Sequence, residues 1–188
     1  MAFESWRNYF LIATPCMIDP TFCGAVVYLC EHNENGAMGF VINHPLPPGL
    51  ERSYTEDMVR HLGQRAKTVR LFEGGPLGLD GVYILHRPQE IFSSAVTLAP
   101  NVMLSMSKID FEKIFTQKEE KDYLVITGYC SWGAGQLERE LEGPDWLLAP
   151  FDEKLIFDVD PMSRLEAALA SIGLTENQLS TLSNEAHA

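Results

Sequence analysis

Positive charge is scarce in this chain. Lys and Arg number 14 among 188 residues, against 26 Asp and Glu, for a formal net charge of −12. A protein that grips duplex DNA needs a basic face to displace counterions from phosphates, and no run of Lys and Arg stands here to supply one. Direct DNA binding therefore ranks last among the readings below. The four cysteines, Cys16, Cys23, Cys30 and Cys130, form no Cys-x-x-Cys pair, and no His follows them at zinc-finger spacing, so neither a structural zinc site nor any other cofactor is expected. Met1 to Asn8 lacks a basic stretch followed by an apolar one, the pattern of a secretory signal. No apolar run approaches the ~20 residues of a spanning helix. The expectation is a chain with reduced thiols, in the cytoplasm, without membrane partners. There is no Gly-x-Ser-x-Gly elbow for Ser-His-Asp chemistry, and no repeat, low-complexity tract or convincing linker.

What is present is ordinary globular composition, 46% hydrophobic and 21% charged, at a length that suits one domain. Short apolar runs predict strands over Tyr9 to Ala13, Gly24 to His32, Ala37 to Asn43, Val69 to Phe72, Val82 to His86 and Tyr123 to Tyr129. Helices are predicted over Ser53 to Leu62, Asp110 to Thr116, Gln136 to Leu141 and Pro161 to Ile172, the last with Pro161 in its first turn and Gly173 past its end. Asp19 is placed to cap a turn starting at Pro20. From about Ser180 to Ala188 the chain reads as a polar tail. Strands outnumber helices without a strict βαβ rhythm, so the class is α+β: a single compact domain with a large, mixed, twisted β-sheet and helices packed against it.

Asn35-Gly36 between two strand-like runs is a hairpin signal, because a type I′ turn needs φ > 0 at both central residues. Centred there, the turn pairs Glu34 with Ala37, His32 with Gly39, Cys30 with Val41 and Tyr28 with Asn43. Alternation then gathers Val26, Tyr28, Cys30, His32, Val41 and Asn43 on one face, and Val27, Leu29, Glu31, Met38, Phe40 and Ile42 on the other. The first face carries several polar groups that must be satisfied internally or offered to a ligand.

The stretch from Leu11 to Pro45, LIATPCMIDPTFCGAVVYLCEHNENGAMGFVINHP, resembles the signature of the AlgH/YqgE family. Glu73-Gly74-Gly75-Pro76, Leu85-His86, Gly128-Tyr129, Trp132, Gln136-Leu137-Glu138 and Trp146 continue the resemblance in order to about Phe157. The resemblance implies a compact α+β fold with a large mixed sheet, and a label of transcriptional regulator with no assigned catalytic activity. No helix-turn-helix or basic recognition helix stands in the sequence behind that label.

Three places carry polar or glycine-rich chemistry. His32, with Asn43 and His86, is a candidate ligand-binding or general-base neighbourhood; the alternative is a histidine that braces the hairpin. Gly74-Gly75 offers backbone N–H groups free of side chains, suited to an anionic or carbonyl-bearing ligand, or simply a sharp turn. One shallow pocket is expected to be lined by His32, Asn43, Gly74 and Gly75, with His86 at its edge. Gly128 and Gly133 give half of a phosphate-binding loop, but Ala134-Gly135 stands where Lys-Ser/Thr is required, so tight strand–helix packing is the simpler account. Trp132 and Trp146 read as core or rim aromatics. Three functions follow in order: a regulatory protein acting through a protein partner or small ligand, an enzyme working on a small molecule through His32, Asn43 and His86, and a direct DNA-binding regulator.

Overall fold

Runs of apolar and β-branched residues form nine strands, among the described residues, in one sheet. The computed structural model describes residues 3–47, 69–88, 94–117 and 119–185; the helix expected over Ser53 to Leu62 lies outside them. The strands are β1 (Phe10–Ala13), β2 (Val26–Asn33), β3 (Gly36–Val41), β4 (Leu71–Glu73), β5 (Leu77–His86), β6 (Val96–Ala99), β7 (Val102–Ser105), β8 (Tyr123–Gly133) and β9 (Trp146–Ala149). Their order is β6-β7-β5-β8-β3-β2-β1-β9, with β4 also against β8. The β4–β8 pair is parallel and its neighbours are antiparallel, so the sheet is mixed and the domain α+β.

Both faces of the central strands are apolar, so both are covered. Phe10, Ile12, Val26, Tyr28, Phe40, Ile42 and Ile126 pack beneath α3 (Glu153–Phe157), α4 (Arg164–Ser171) and α5 (Glu176–Glu185). Leu11, Val27, Leu29, Val41, Trp132 and Trp146 form the opposite layer, with Leu137 of α2 (Gln136–Glu142). A third cluster sets Phe111, Ile114 and Phe115 of α1 (Lys108–Gln117) on Leu71, Val82, Ile84 and Val125. Among the described residues no helix is long and apolar enough to cross a membrane.

Several boundaries differ from the sequence-based expectation. Pro161 opens a 3-10 turn, capped by Asp160, before α4 begins at Arg164. The stretch read as a polar tail from about Ser180 is helical as far as Glu185, and Leu179 in that helix is buried. Asp19 does cap the Pro20–Phe22 turn, accepting from Thr21 N at 2.9 Å. Strands β6, β7 and β9, each four residues long, lie outside the expected strands.

The hairpin exists, but its register is not the expected one. Asn33 pairs with Gly36, His32 with Ala37 and Glu31 with Met38, so the two-residue turn is Glu34-Asn35. Its backbone stays at negative φ, and the positive φ of 134° falls on Gly36, one residue later. Asn33 sets this geometry, because its Oδ1 accepts Asn35 N at 2.8 Å and holds the chain in an Asx turn. A second shift follows at Cys30. Leu29 pairs with Gly39 while Glu31 pairs with Met38, leaving Cys30 as a bulge. Each shift turns side chains to the other face. Val41 consequently lies with Val27 and Leu29, and Phe40 with Tyr28, the reverse of the expected grouping.

Strand β8 does not end at Tyr129 as expected; it runs on to Gly133. Before Gly128 it pairs with β4 through Val125, Ile126 and Thr127. After it, Cys130 to Gly133 pair with β3. Gly74 sits in the fork, with its N–H on Thr127 O at 2.7 Å and its carbonyl receiving Val41 N at 2.9 Å.

Candidate functional site

His32 is buried in a network of its own. Trp6 N donates to Nδ1 at 2.9 Å, which fixes the ring proton on Nε2, where it faces Glu138 Oε1 at 3.2 Å. Trp6 stacks on the imidazole at 5.0 Å and 17°, and Ser5 Oγ donates to the His32 carbonyl at 2.8 Å. The residue thus ties the chain before β1 to α2. Asn43 acts as a substitute strand partner: its Oδ1 accepts Val26 N at 2.7 Å and its Nδ2 donates to Gly24 O at 2.8 Å. His86 is fully buried on β5. Its Nδ1 lies 3.0 Å from the Arg87 carbonyl, so it carries the proton, and Nε2 accepts from Ser105 Oγ at 2.9 Å. At Gly74 an added Cβ would run into Ile126 and Gly128, and at Gly75 into the Tyr129 backbone. These glycines stand where three strands, β3, β4 and β8, meet.

The expected grouping is therefore not what the fold assembles. The bulge at Cys30 turns His32 toward Trp6 and Glu138, whereas Gly74 abuts Phe40 and Ile126 on the other layer. Two cavities, of about 490 and about 400 Å³, are lined by other residues, none of them His32, Asn43, Gly74, Gly75 or His86.

The smaller of the two joins five separate stretches of sequence. Met17, Asp19 and Phe22 come from the turn before β2, and Pro76 and Leu77 from the start of β5. Cys130 to Trp132 end β8, Gln136 and Glu140 lie on α2, and Asp145 and Trp146 open β9. Glu140 is its organising group. Four residues after Gln136, it lies on the same face of α2 and accepts the Gln136 amide at 2.9 Å. Its other oxygen accepts both indole N–H groups, Trp132 at 2.8 Å and Trp146 at 2.9 Å. A carboxylate offers about four acceptor positions, so one is left on this lining residue. Gln136 is itself fixed by Gly133 N, which donates to Oε1 at 3.0 Å.

Aromatic edges complete the walls: Trp132 meets Trp146 at 6.1 Å and 73°, and Phe22 meets Trp146 at 5.3 Å and 71°. Asp19, Glu140 and Asp145 are the charged lining residues, and no Lys, Arg or His stands beside them. Bonds from Thr21 hold the Asp19 carboxyl below its usual range. Among the described residues no group of three or more His, Cys, Asp or Glu is arranged to hold a metal ion. The chemistry on offer is recognition of a cationic or hydrogen-bond-donating group by π-faces and carboxylates. The sequence did carry a signal for it, the Gln136-x-x-x-Glu140 spacing between two tryptophans, but the convergence of Trp132 and Trp146 on one carboxylate is a tertiary fact.

Cys130 lines the cavity without being a nucleophile. Burial pushes its thiol up to about 12, and its Sγ donates to Gly74 O at 3.3 Å. Burial also raises Cys30, whereas Cys23 is exposed and Cys16 half-buried. A thiol reagent at pH 8 is expected to label Cys23 and Cys16 in the native protein, and Cys30 and Cys130 only after denaturation, because the thiolate is the reactive form. Four cysteines labelled at one rate under native conditions would contradict this burial.

The model of the AlgH-like family matches residues 10–177. A UPF0301 protein of Thioalkalivibrio sulfidiphilus is 38% identical over 185 residues, 98% of this chain and 97% of its own. Another, from Pseudoalteromonas translucida, is 37% identical over 178 residues, covering 94% and 96% of the two chains. The solution structure of the AlgH protein from Pseudomonas aeruginosa is similar with a TM-score of 0.74 and 35% identity, covering 96% of this chain and 97% of that one. A protein of Corynebacterium diphtheriae, at 20% identity, shares the fold with a TM-score of 0.66, over 97% of this chain and 94% of its own.

Proposed function

Since the chain belongs to the AlgH-like family, we propose that it is a regulatory binding protein that receives a cationic group in the Trp132–Trp146–Glu140 cavity. The natural source of that group is a Lys or Arg side chain of a protein partner; a small amine is the other. One observation carries the reading: three carboxylates and three aromatic rings line a single concavity that contains no base. A cation over an indole face is worth about 0.5–2 kcal/mol, more when water is excluded, and the free acceptor position on Glu140 adds a charge-assisted hydrogen bond.

The enzyme reading loses support because both ring nitrogens of His32 and of His86 are already engaged. Direct DNA binding loses support from the net charge of −12. The test is a titration followed by tryptophan fluorescence, with N-acetyl-arginine amide and a labelled DNA duplex as the two probes. Saturable quenching by the arginine amide, with a dissociation constant of about 1 mM or tighter, is expected, and no response to the duplex. Flat fluorescence with the amide, or micromolar binding of the duplex, would overturn the reading.

A further inference from the structure

The larger cavity has the opposite electrostatic character. It lies where β4 and the start of β8 face the turn between α3 and α4, and Phe72, Tyr123, Leu124 and Phe157 give it an apolar floor. Arg70, Lys121 and Arg164 line it, together with Asp158 and Asp160. Both carboxylates have other hydrogen-bond partners. Asp158 accepts Arg87 Nη2 on both oxygens, at 2.9 and 2.8 Å, and Asp160 Oδ1 caps Met162 N at 3.0 Å. Lys121 pairs with Glu119 at 2.8 Å, outside the cavity lining.

Arg164 is the anomaly. It is 3% exposed, yet among the described residues no carboxylate lies within ion-pair distance of its guanidinium. Its partners are carbonyls: Nε donates to Val159 O at 3.1 Å, Nη2 to Ile156 O at 2.7 Å, and Nη1 to Ile42 O. A guanidinium has five N–H donors, so one on each terminal nitrogen is unspoken for. Phe72 lies under it at 5.4 Å. A buried cation without a contact ion pair is costly. Burial lowers its pKa to about 10, with the carboxylate of Asp160 opposing that fall and the like charge of Arg70 adding to it. Arg70 is exposed and has no ion-pair partner among the described residues.

We propose that this cavity binds a small organic oxyanion, a carboxylate or phosphate ester on an apolar or aromatic body, held between Arg70 and Arg164 with the body on the Phe72–Tyr123–Phe157 floor. An anion there supplies the direct ion pair that Asp160 does not make with Arg164 and relieves the repulsion between Arg164 and Arg70. The volume of about 490 Å³ falls in the range of small-molecule sites, well beyond what a bare inorganic ion fills. This site is independent of the acidic aromatic cavity, and neither proposal depends on the other.

Calorimetric titration of the full chain with adenosine 5′-monophosphate and, separately, with 4-hydroxyphenylacetate tests it and distinguishes phosphate from carboxylate. The expected result is saturable binding of at least one probe, weakening with salt, and reduced about fivefold or more in Arg70→Gln. Arg70 is chosen because it braces nothing, so the variant should melt with the wild type. Absence of saturable binding by both probes overturns the proposal, and so does binding that Arg70→Gln leaves unchanged.

Discussion

Gly128→Ala is expected to lose roughly 2–5 kcal/mol of stability, the sum of a left-handed backbone penalty and an overpacking penalty. Gly128 has φ of 72° in the middle of β8, where an L side chain costs about 1–2 kcal/mol. The added Cβ also falls well inside van der Waals contact with the Gly75 carbonyl and 3.0 Å from Leu79 Cδ2. A side chain could rotate away, but a backbone carbonyl in a packed sheet cannot. Gly75 is held by the same fork that ties Gly74 to Thr127 and Val41. Relief would therefore have to come from parting β4 from β8. Gly173→Ala is the control: its φ is 76°, but nothing lies within 4 Å of the new Cβ, so only the backbone penalty of about 1–2 kcal/mol applies. Urea melts of the two variants at equal slope read the difference directly. Equal midpoints would mean that the close approach at Gly75 carries no energy.

The same fork explains which parts of the fold were legible. Apolar runs with β-branched residues mark β1, β2, β3 and β8 in the sequence, because burial on both faces leaves a continuous signal. The hairpin was found from Asn35-Gly36, but the turn chemistry lies in Asn33, whose Asx turn moves the centre back by one residue. The bulge at Cys30 has no local signature, since Val-Val-Tyr-Leu-Cys reads as an unbroken strand. That one inserted residue decides the fate of His32. Without it the imidazole shares a face with Tyr28; with it, the ring meets Trp6 and Glu138. Asn43, which looked like a ligand contact, is spent on two backbone groups of the neighbouring strand.

Polar residues were thus easy to see and hard to assign. His32, Asn43 and His86 satisfy buried backbone and side-chain groups, the commoner fate of buried polar atoms. The two cavities are built from charged residues that each look solvated in sequence: Glu140 and Asp145 in one, Arg70 and Arg164 in the other. Arg164 occupies the first turn of an amphipathic helix, where nothing local separates it from a surface arginine, yet it is nearly inaccessible. The larger cavity gathers three basic side chains and two carboxylates in a chain of net charge −12. The acidic excess does not preclude a local anion site.

Glu140 separates structure from recognition through a pair of substitutions with different expected outcomes. In Glu140→Leu the Trp132 and Trp146 N–H groups lose their shared acceptor, and both indoles are buried, at 5% and 3% exposure. A buried donor left unsatisfied costs about 1–3 kcal/mol, so the pair should cost roughly 2–5 kcal/mol, moderated where water enters the cavity. In Glu140→Gln the side-chain carbonyl still accepts the indoles, while the new amide requires Gln136 to present its own oxygen. That oxygen is the one Gly133 N now donates to, so the exchange costs one exposed bond, about 1 kcal/mol. The charge, however, is gone. Arginine amide binding should weaken at least about tenfold in both variants, equivalent to about 1.4 kcal/mol, but only the leucine variant should melt much earlier. Urea denaturation followed by near-UV circular dichroism reports the tryptophan environment and the stability together, and the fluorescence titration reports the ligand. If Glu140→Gln binds the amide as wild type does, the carboxylate is a brace for the two indoles and the cation belongs elsewhere.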